Sequence, residues 1–353
     1  MRSDEIIDAI NNGPNKFDMI IFDECHAIKD PQAQWTKGLL KLDATHKVGM
    51  TGTILLNNPL ELYVPLKWIG SEKASYTNFR YYYCNYGGPF GNELIGYKNL
   101  DFLKEQLQEN SIRRTKDLLD LPEKNIIVEY VDMDDKQQRF YSNVKQGIKD
   151  QVDKVKLSAT NLLSMVTRLR QATTCPSVLT SEDIPSAKID RTVGLVDEIV
   201  SNGSKVVIFS VYKETVYRLQ QLLQKYKPLI GTGDISDDEI SKSIDLFQNN
   251  EENRVFIGTF SKCATGITLT KANYMICVDS CWTSAQNLQA EDRIHRIGSK
   301  QPVFIYYLIT NNTIDTHVYD IVQDKSIISE YIVDNQIPNG AYDKLKKIME
   351  DLE

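Results

Sequence analysis

The sequence predicts an α/β fold of two parallel-sheet lobes, the first incomplete at its N-terminus, with a mostly helical insertion between them. Three observations predict it. Apolar runs of five to seven residues fall at 17–22, 46–50, 205–211, 254–258, 274–279 and 303–309. Helix-length amphipathic stretches separate them, most regularly after residue 193. Strands alternating with helices mean right-handed β-α-β units and a parallel sheet. The stretch 70–195 breaks this rhythm, with one strand-like run, Asn125–Met133, among helical patterns.

Taken in order, residues 3–12 are helical in pattern. Phe17–Phe22 ends in acids and reads as a buried parallel strand. Pro31 suits the first turn of the next helix. His46–Met50 is a second strand, ending in Thr51-Gly52-Thr53, and 59–69 is an amphipathic helix. An aromatic patch (Tyr76, Phe79, Tyr81, Tyr82, Tyr83, Tyr86) and a loop at Gly87-Gly88-Pro89 open the middle. Helices follow at 100–111, 134–152 and 158–172, then a linker at 175–192 carrying Pro176, Pro185 and several serines. The last lobe places helices at 213–226, 236–249, 284–296 and 313–330 between its strands. The domains expected are therefore 1–70, 71–192 and 193–353.

The 353 residues suit about two domains at roughly 150 residues each. Lys+Arg 41 against Asp+Glu 48 leaves a net charge of −7, which excludes a bulk polycation. Any nucleic-acid contact then comes from a local basic surface. No apolar run approaches the ~18 residues of a membrane span, and no signal-peptide pattern is present. The six cysteines are scattered without a C-x-x-C pair, against a disulfide framework or zinc site. The expectation is a soluble cytoplasmic chain with no membrane partner. Its Asn-, Lys- and Ile-rich usage points to an AT-rich bacterial or phage genome.

Asp23-Glu24-Cys25-His26 is the first segment that carries chemistry. Function gathers at the carboxyl ends of strands in open parallel sheets. Two adjacent acids there suit nucleotide hydrolysis, one holding Mg²⁺ and one taking a proton from water. They equally suit a helix N-terminus, where acids complement the dipole. Thr51-Gly52-Thr53 lies at the next strand end and reads as a phosphate-site relay or a plain turn. On a helix, Gln289, Arg293 and Arg296 at i, i+4 and i+7 share a face. Two arginines there suit a transferred phosphoryl group, or a solvated face paired to Glu291 and Asp292.

In combination these segments resemble the superfamily-two helicases and, within them, the Swi/Snf-like double-stranded DNA translocases. Gly49–Thr53 with Asn57-Asn58 and Glu61-Leu62-Tyr63 is similar to the family's L-T-G-T-P-x-x-N-N-x-x-E-L-W/Y stretch, with Ile54 in place of proline. Ile112-Arg113-Arg114-Thr115-Lys116 and Leu121-Pro122-Glu123-Lys124 resemble its I-R-R-x-K and L-P-x-K signature. Leu169-Arg170-Gln171 with Cys175-Pro176, the strand Lys205–Ser210, Gly231-Thr232-Gly233, the loop Thr259–Thr270, and Asp279 with Trp282 continue the likeness. In that loop Thr265 replaces a glycine.

The resemblance implies two RecA-like lobes using ATP and Mg²⁺ to move along double-stranded DNA. It implies Asp23 as the Mg²⁺ ligand, Glu24 as base and His26 as a link to the other lobe. Thr51, Gly52 and Thr53 would couple hydrolysis to movement. Arg293 and Arg296 would be arginine fingers oriented by Gln289, with Arg113, Arg114, Lys262 and Thr268 on DNA or nucleotide. Lys116 and Lys300 are further basic residues near that path. One part of the family pattern is missing: no G-x-x-x-x-G-K-[ST] loop occurs, nor any Gly-Lys dipeptide. The expectation is a chain whose phosphate loop comes from a missing N-terminal ATPase segment and which is inactive alone. The competing reading is a non-catalytic nucleic-acid-binding or interaction module.

Overall fold

A computed structural model describes residues 7, 11, 17–52, 54, 58–87, 93–114, 116–152, 159–264, 266–320 and 322. The chain divides into two compact units, one reaching Arg114 and one spanning Thr115–Val322.

In the first unit, strands β1 (Met19–Asp23) and β2 (His46–Met50) pair in parallel, with Asp23 opposite Met50. The helix between them starts at Gln34 rather than at Pro31. Asp30 is the reason: its carboxylate takes the Gln32 N–H at 2.8 Å, a local turn that competes with helix. The stretch 59–69 forms a 3-10 turn, Pro59–Leu62, capped by the Asn58 side chain, and then the helix Tyr63–Trp68. The aromatic patch is also a helix, Tyr76–Tyr83, capped by Ser75. Phe79 and Tyr83 enter the core with Ile28, Leu62, Leu66, Trp68 and Leu103, while Tyr81 and Tyr82 stay exposed. An antiparallel hairpin follows, β3 (Cys84–Gly87) with β4 (Glu93–Tyr97), and then the helix Leu100–Glu109. Gly88-Pro89 of the expected loop lies outside the described residues, as does most of 3–12.

Contrary to what its apolar run predicts, the first strand is not buried on both faces. Ile20 and Phe22 pack on the core, but Met19 and Ile21 are 50% and 57% exposed. Parallel strands are ordinarily covered on both faces; among the described residues helices cover these two on one.

The second unit is built on a six-stranded, all-parallel sheet in the order β5-β10-β9-β6-β8-β7. These are β5 Lys124–Val131, β6 Val206–Ser210, β7 Leu229–Gly231, β8 Val255–Thr259, β9 Tyr274–Cys277 and β10 Val303–Thr310. The strand in the helical middle is thus the sheet's edge, paired with β10 along its whole length. Every residue of β6 and β8 is buried, which is why they read as unbroken apolar runs. The expected linker ends early, because the helix Ala187–Ser201 begins inside it. Ser186 after Pro185 is a cap, its hydroxyl taking the Ile189 N–H at 3.3 Å, and Ile189, Leu195, Val196 and Ile199 are buried. The last expected helix is present over 314–320, and its continuation lies outside the described residues. Strand order reverses beside β6, so the carboxyl ends of β6 and β9 form the sheet's natural crevice. Among the described residues no helix is long and apolar enough to cross a membrane.

Candidate active site

The in-register pairing of β1 with β2 sets the acidic segment beside the threonine turn. Glu24 follows the strand in a left-handed conformation, φ 52° and ψ 49°, uncommon for a residue with a side chain. Its N–H donates to Asp23 Oδ1 at 2.9 Å. His26 Nδ1 lies 2.9 Å from Thr51 Oγ1 and 3.1 Å from Glu24 Oε2, and Thr51 donates to that same oxygen at 3.5 Å. Glu24, His26 and Thr51 are therefore one hydrogen-bonded cluster spanning two motifs 25–27 residues apart. Cys25 points the other way, into the core. Burial, helped by the Glu24 charge, pushes its thiol up to about 11. Gly49 makes room for it, since a Cβ there would sit 3.0 Å from the sulfur. Gly52 is exposed; Thr53 lies outside the described residues.

Asp23 is exposed at the strand end. Among the described residues no three metal-ligating side chains cluster. A single exposed carboxylate at a strand end is a donor that magnesium commonly takes, with phosphate and water oxygens completing its shell. An ion held there would neutralise charge on a phosphoryl group.

In the second unit the arginine segment departs from the expected helix face. The helix Ser284–Glu291 stops at Glu291, and the chain tightens into i→i−3 bonds, Arg293 N to Ala290 O and Ile294 N to Glu291 O. Gln289 is on the helix; Arg293 and Arg296 are on the turn after it. Arg293 Nε donates to the Gln289 carbonyl at 2.9 Å and its NH1 to the Ile267 carbonyl at 3.0 Å. Arg296 NH1 donates to Thr268 Oγ1 at 3.0 Å. The Leu269 N–H closes the pair of loops on the Arg293 carbonyl at 2.9 Å. Thr268 is therefore joined to the arginine turn, whereas Lys262 is paired with Asp237 at 2.5 Å. Arg113 and Arg114 are exposed at the end of the first unit, where Arg114 NH1 donates to the Arg113 carbonyl at 3.2 Å.

At the crevice between β6 and β9, Asp279 accepts from Ser210 Oγ at 2.7 Å and from the Val211 N–H at 2.6 Å. Burial raises its carboxyl, against the pull of the nearby Arg170 guanidinium. Arg170 stacks on Trp282, 4.8 Å from the ring centre, and donates to the Ser280 carbonyl. The loop from Asp279 to Trp282 that leads into the arginine segment is thus held from the Ala159–Thr174 helix. Sequence reasoning matched these residues to a pattern but gave them no role; the buried carboxylate after an apolar strand was the available signal.

Residues 4–178 match the SNF2-related domain and residues 187–298 the helicase conserved C-terminal domain. An uncharacterised ATP-dependent helicase of Mycoplasma genitalium is 27% identical over 95% of this chain and 33% of its own length. The SWI/SNF-related matrix-associated actin-dependent regulator of chromatin subfamily A-like protein 1 of Drosophila melanogaster is 29% identical over 88% of this chain and 40% of its own. This chain thus spans a third to two fifths of the length of these relatives. Among solved structures, the Sulfolobus solfataricus SWI2/SNF2 ATPase core domain shares the fold, with TM-score 0.53 and 23% identity over 94% of this chain and 68% of that one. The chain belongs to the SNF2-related family, its SNF2-related domain followed by a helicase conserved C-terminal domain.

Proposed function

We propose that this chain is the hydrolytic and arginine-bearing part of a Swi/Snf-type translocase that couples ATP hydrolysis to movement along double-stranded DNA. The Glu24–His26–Thr51 cluster carries the proposal, because it ties a proton-accepting acid directly to a neighbouring strand end. Asp23 holds Mg²⁺ on the nucleotide. Glu24 takes the proton of the attacking water, and His26 reports the state of that acid to Thr51. Arg293 and Arg296 meet the charge on the phosphoryl group; Gln289 orients Arg293 through its carbonyl, and Thr268 holds Arg296. Arg113, Arg114, Lys262 and Thr268 approach the phosphate backbone, which is read without base sequence. For Lys262 this requires release from Asp237. The Sulfolobus core has been solved in complex with dsDNA, and its fold supports the duplex as partner.

In this proposal a segment outside these 353 residues supplies the phosphate loop, and the chain by itself turns over little ATP. The test is DNA-stimulated ATPase of the full-length protein with duplex and single-stranded DNA. Glu24→Gln is expected to lower kcat about 10²-fold or more, and Arg293→Gln or Arg296→Gln about 10³-fold. Full activity in Glu24→Gln would overturn the site. Rapid hydrolysis by the 353 residues alone, abolished by Glu24→Gln, would overturn the need for an added phosphate loop.

A further inference from the structure

The chain enters the second unit after Arg114, and the residues that follow grip the arginine turn at three points. Lys116 pairs with Asp292, and its ammonium also donates to the His295 carbonyl at 3.4 Å. His295 Nε2 lies 2.8 Å from the Pro122 carbonyl oxygen. A carbonyl only accepts, so Nε2 carries the proton; Nδ1 is buried and has no partner among the described residues. Lys124 Nζ lies 2.9 Å from Glu291 Oε2, while Tyr307 donates to Glu291 Oε1 at 2.7 Å. Glu123 then accepts the Val303 N–H at 2.8 Å, which starts the pairing of β5 with β10.

Solvent-exposed ion pairs add little to stability, and Lys116 and Asp292 are both partly exposed. Glu291 and His295 are different, being only 5% and 7% exposed. Each of the gripped residues, Glu291, Asp292 and His295, lies within two positions of Arg293 or of Arg296. The turn has no helix to define it beyond Glu291, so its direction depends on contacts from elsewhere in the chain.

We propose that Lys116, Lys124 and His295 are positioning residues: the segment 116–124 holds the turn 291–296 and so sets where Arg293 and Arg296 point. The proposal rests on the reading of those arginines as ligands of the transferred phosphate. It moves Lys116 from the DNA path to the support of the active site.

The test uses the full-length protein with Lys116→Asp, Lys116→Arg and the exchange of partners, Lys116→Asp with Asp292→Lys. Amide hydrogen exchange is read on peptides covering 292–298, with peptides covering β8 and β9 as the check on folding. Lys116→Asp is expected to speed exchange of 292–298 about tenfold while β8 and β9 are unchanged. It is also expected to lower kcat about tenfold, with KM for ATP held within about twofold. Lys116→Arg and the exchanged pair restore both. Unchanged exchange in folded Lys116→Asp, or an exchanged pair that stays impaired, overturns the proposal. Arg293→Gln separates the two readings: surviving turnover there defeats the arginine assignment and with it the function of the clamp, whatever the exchange arm returns.

Discussion

Replacing Lys188 with methionine strands a carboxylate in the core of the second unit. Lys188 Nζ lies 2.5 Å from Asp315 Oδ2, and the two residues are 1% and 7% exposed. Asp315 also accepts from Thr173 Oγ1 at 3.0 Å and from the Thr310 N–H at 3.3 Å. Arg170 and Asp279 line the same small cavity. Two charges about 4 Å apart attract by ~4 kcal/mol at an effective dielectric of about 20. The desolvation of both ions offsets most of that, so the intact pair adds little net stability. Removing one partner is different, because the other charge stays buried, at a cost of about 3–5 kcal/mol. The two remaining donors to Asp315 place Lys188→Met near the lower end. With a urea m-value of about 2 kcal/mol/M, the midpoint of the second unit falls by roughly 1.5 M. Circular dichroism across a urea titration reads this directly. The double variant Lys188→Met with Asp315→Leu is expected to recover more than half of the loss, since no charge is then left unpaired. A single variant within about 0.3 M of the parent, or a double variant no better than the single, would refute the reasoning.

Three further outcomes start from residues of the first unit. Gly49→Val drives a branched side chain against Cys25, whose sulfur lies 3.0 Å from the Cβ position, and is expected to destabilise that unit by about 1–3 kcal/mol in urea. Cys25→Ala with Gly49→Val should then recover part of the loss. Burial pushes the Cys25 thiol up to about 11 and the Tyr83 and Tyr97 hydroxyls up to about 12. The unfolded chain therefore ionises first as pH rises, and stability falls from about pH 8.5 upward. Urea midpoints at pH 8, 9 and 10 check the sign, and a midpoint that rises over this range contradicts it. With its thiol raised by burial, Cys25 offers little thiolate at pH 8, so native alkylation is slow and denaturant releases all six buried cysteines.

Much of the fold was legible because the second unit's strands are buried on both faces. Val206–Ser210, Val255–Thr259 and Tyr274–Cys277 read as continuous apolar runs within a residue or two of their true ends. Leu229–Gly231 did not, because three residues carry no period. The helix Tyr76–Tyr83 was hidden by its tyrosines, which appear on buried and exposed faces alike. In the candidate site, the residue types and the motif order were legible. The end of the helix at Glu291 was not: Gln289 to Arg296 has good helical spacing, and a long-range bond from Leu269 to the Arg293 carbonyl, with the i→i−3 tightening, wins there.

The sequence by itself determined which segments alternate as strand and helix, which acids and arginines stand at their ends, and the family those motifs resemble. Local periodicity and composition are enough for that. Tertiary structure alone decided who meets whom. The register of β1 on β2 brought Glu24 to Thr51, and the edge pairing of β5 on β10 placed the segment after Arg114 beside the arginine turn. Lys116 and Asp292 lie 176 residues apart. An ion pair across that separation leaves no mark in local pattern, because it exists only once the intervening sheet has closed.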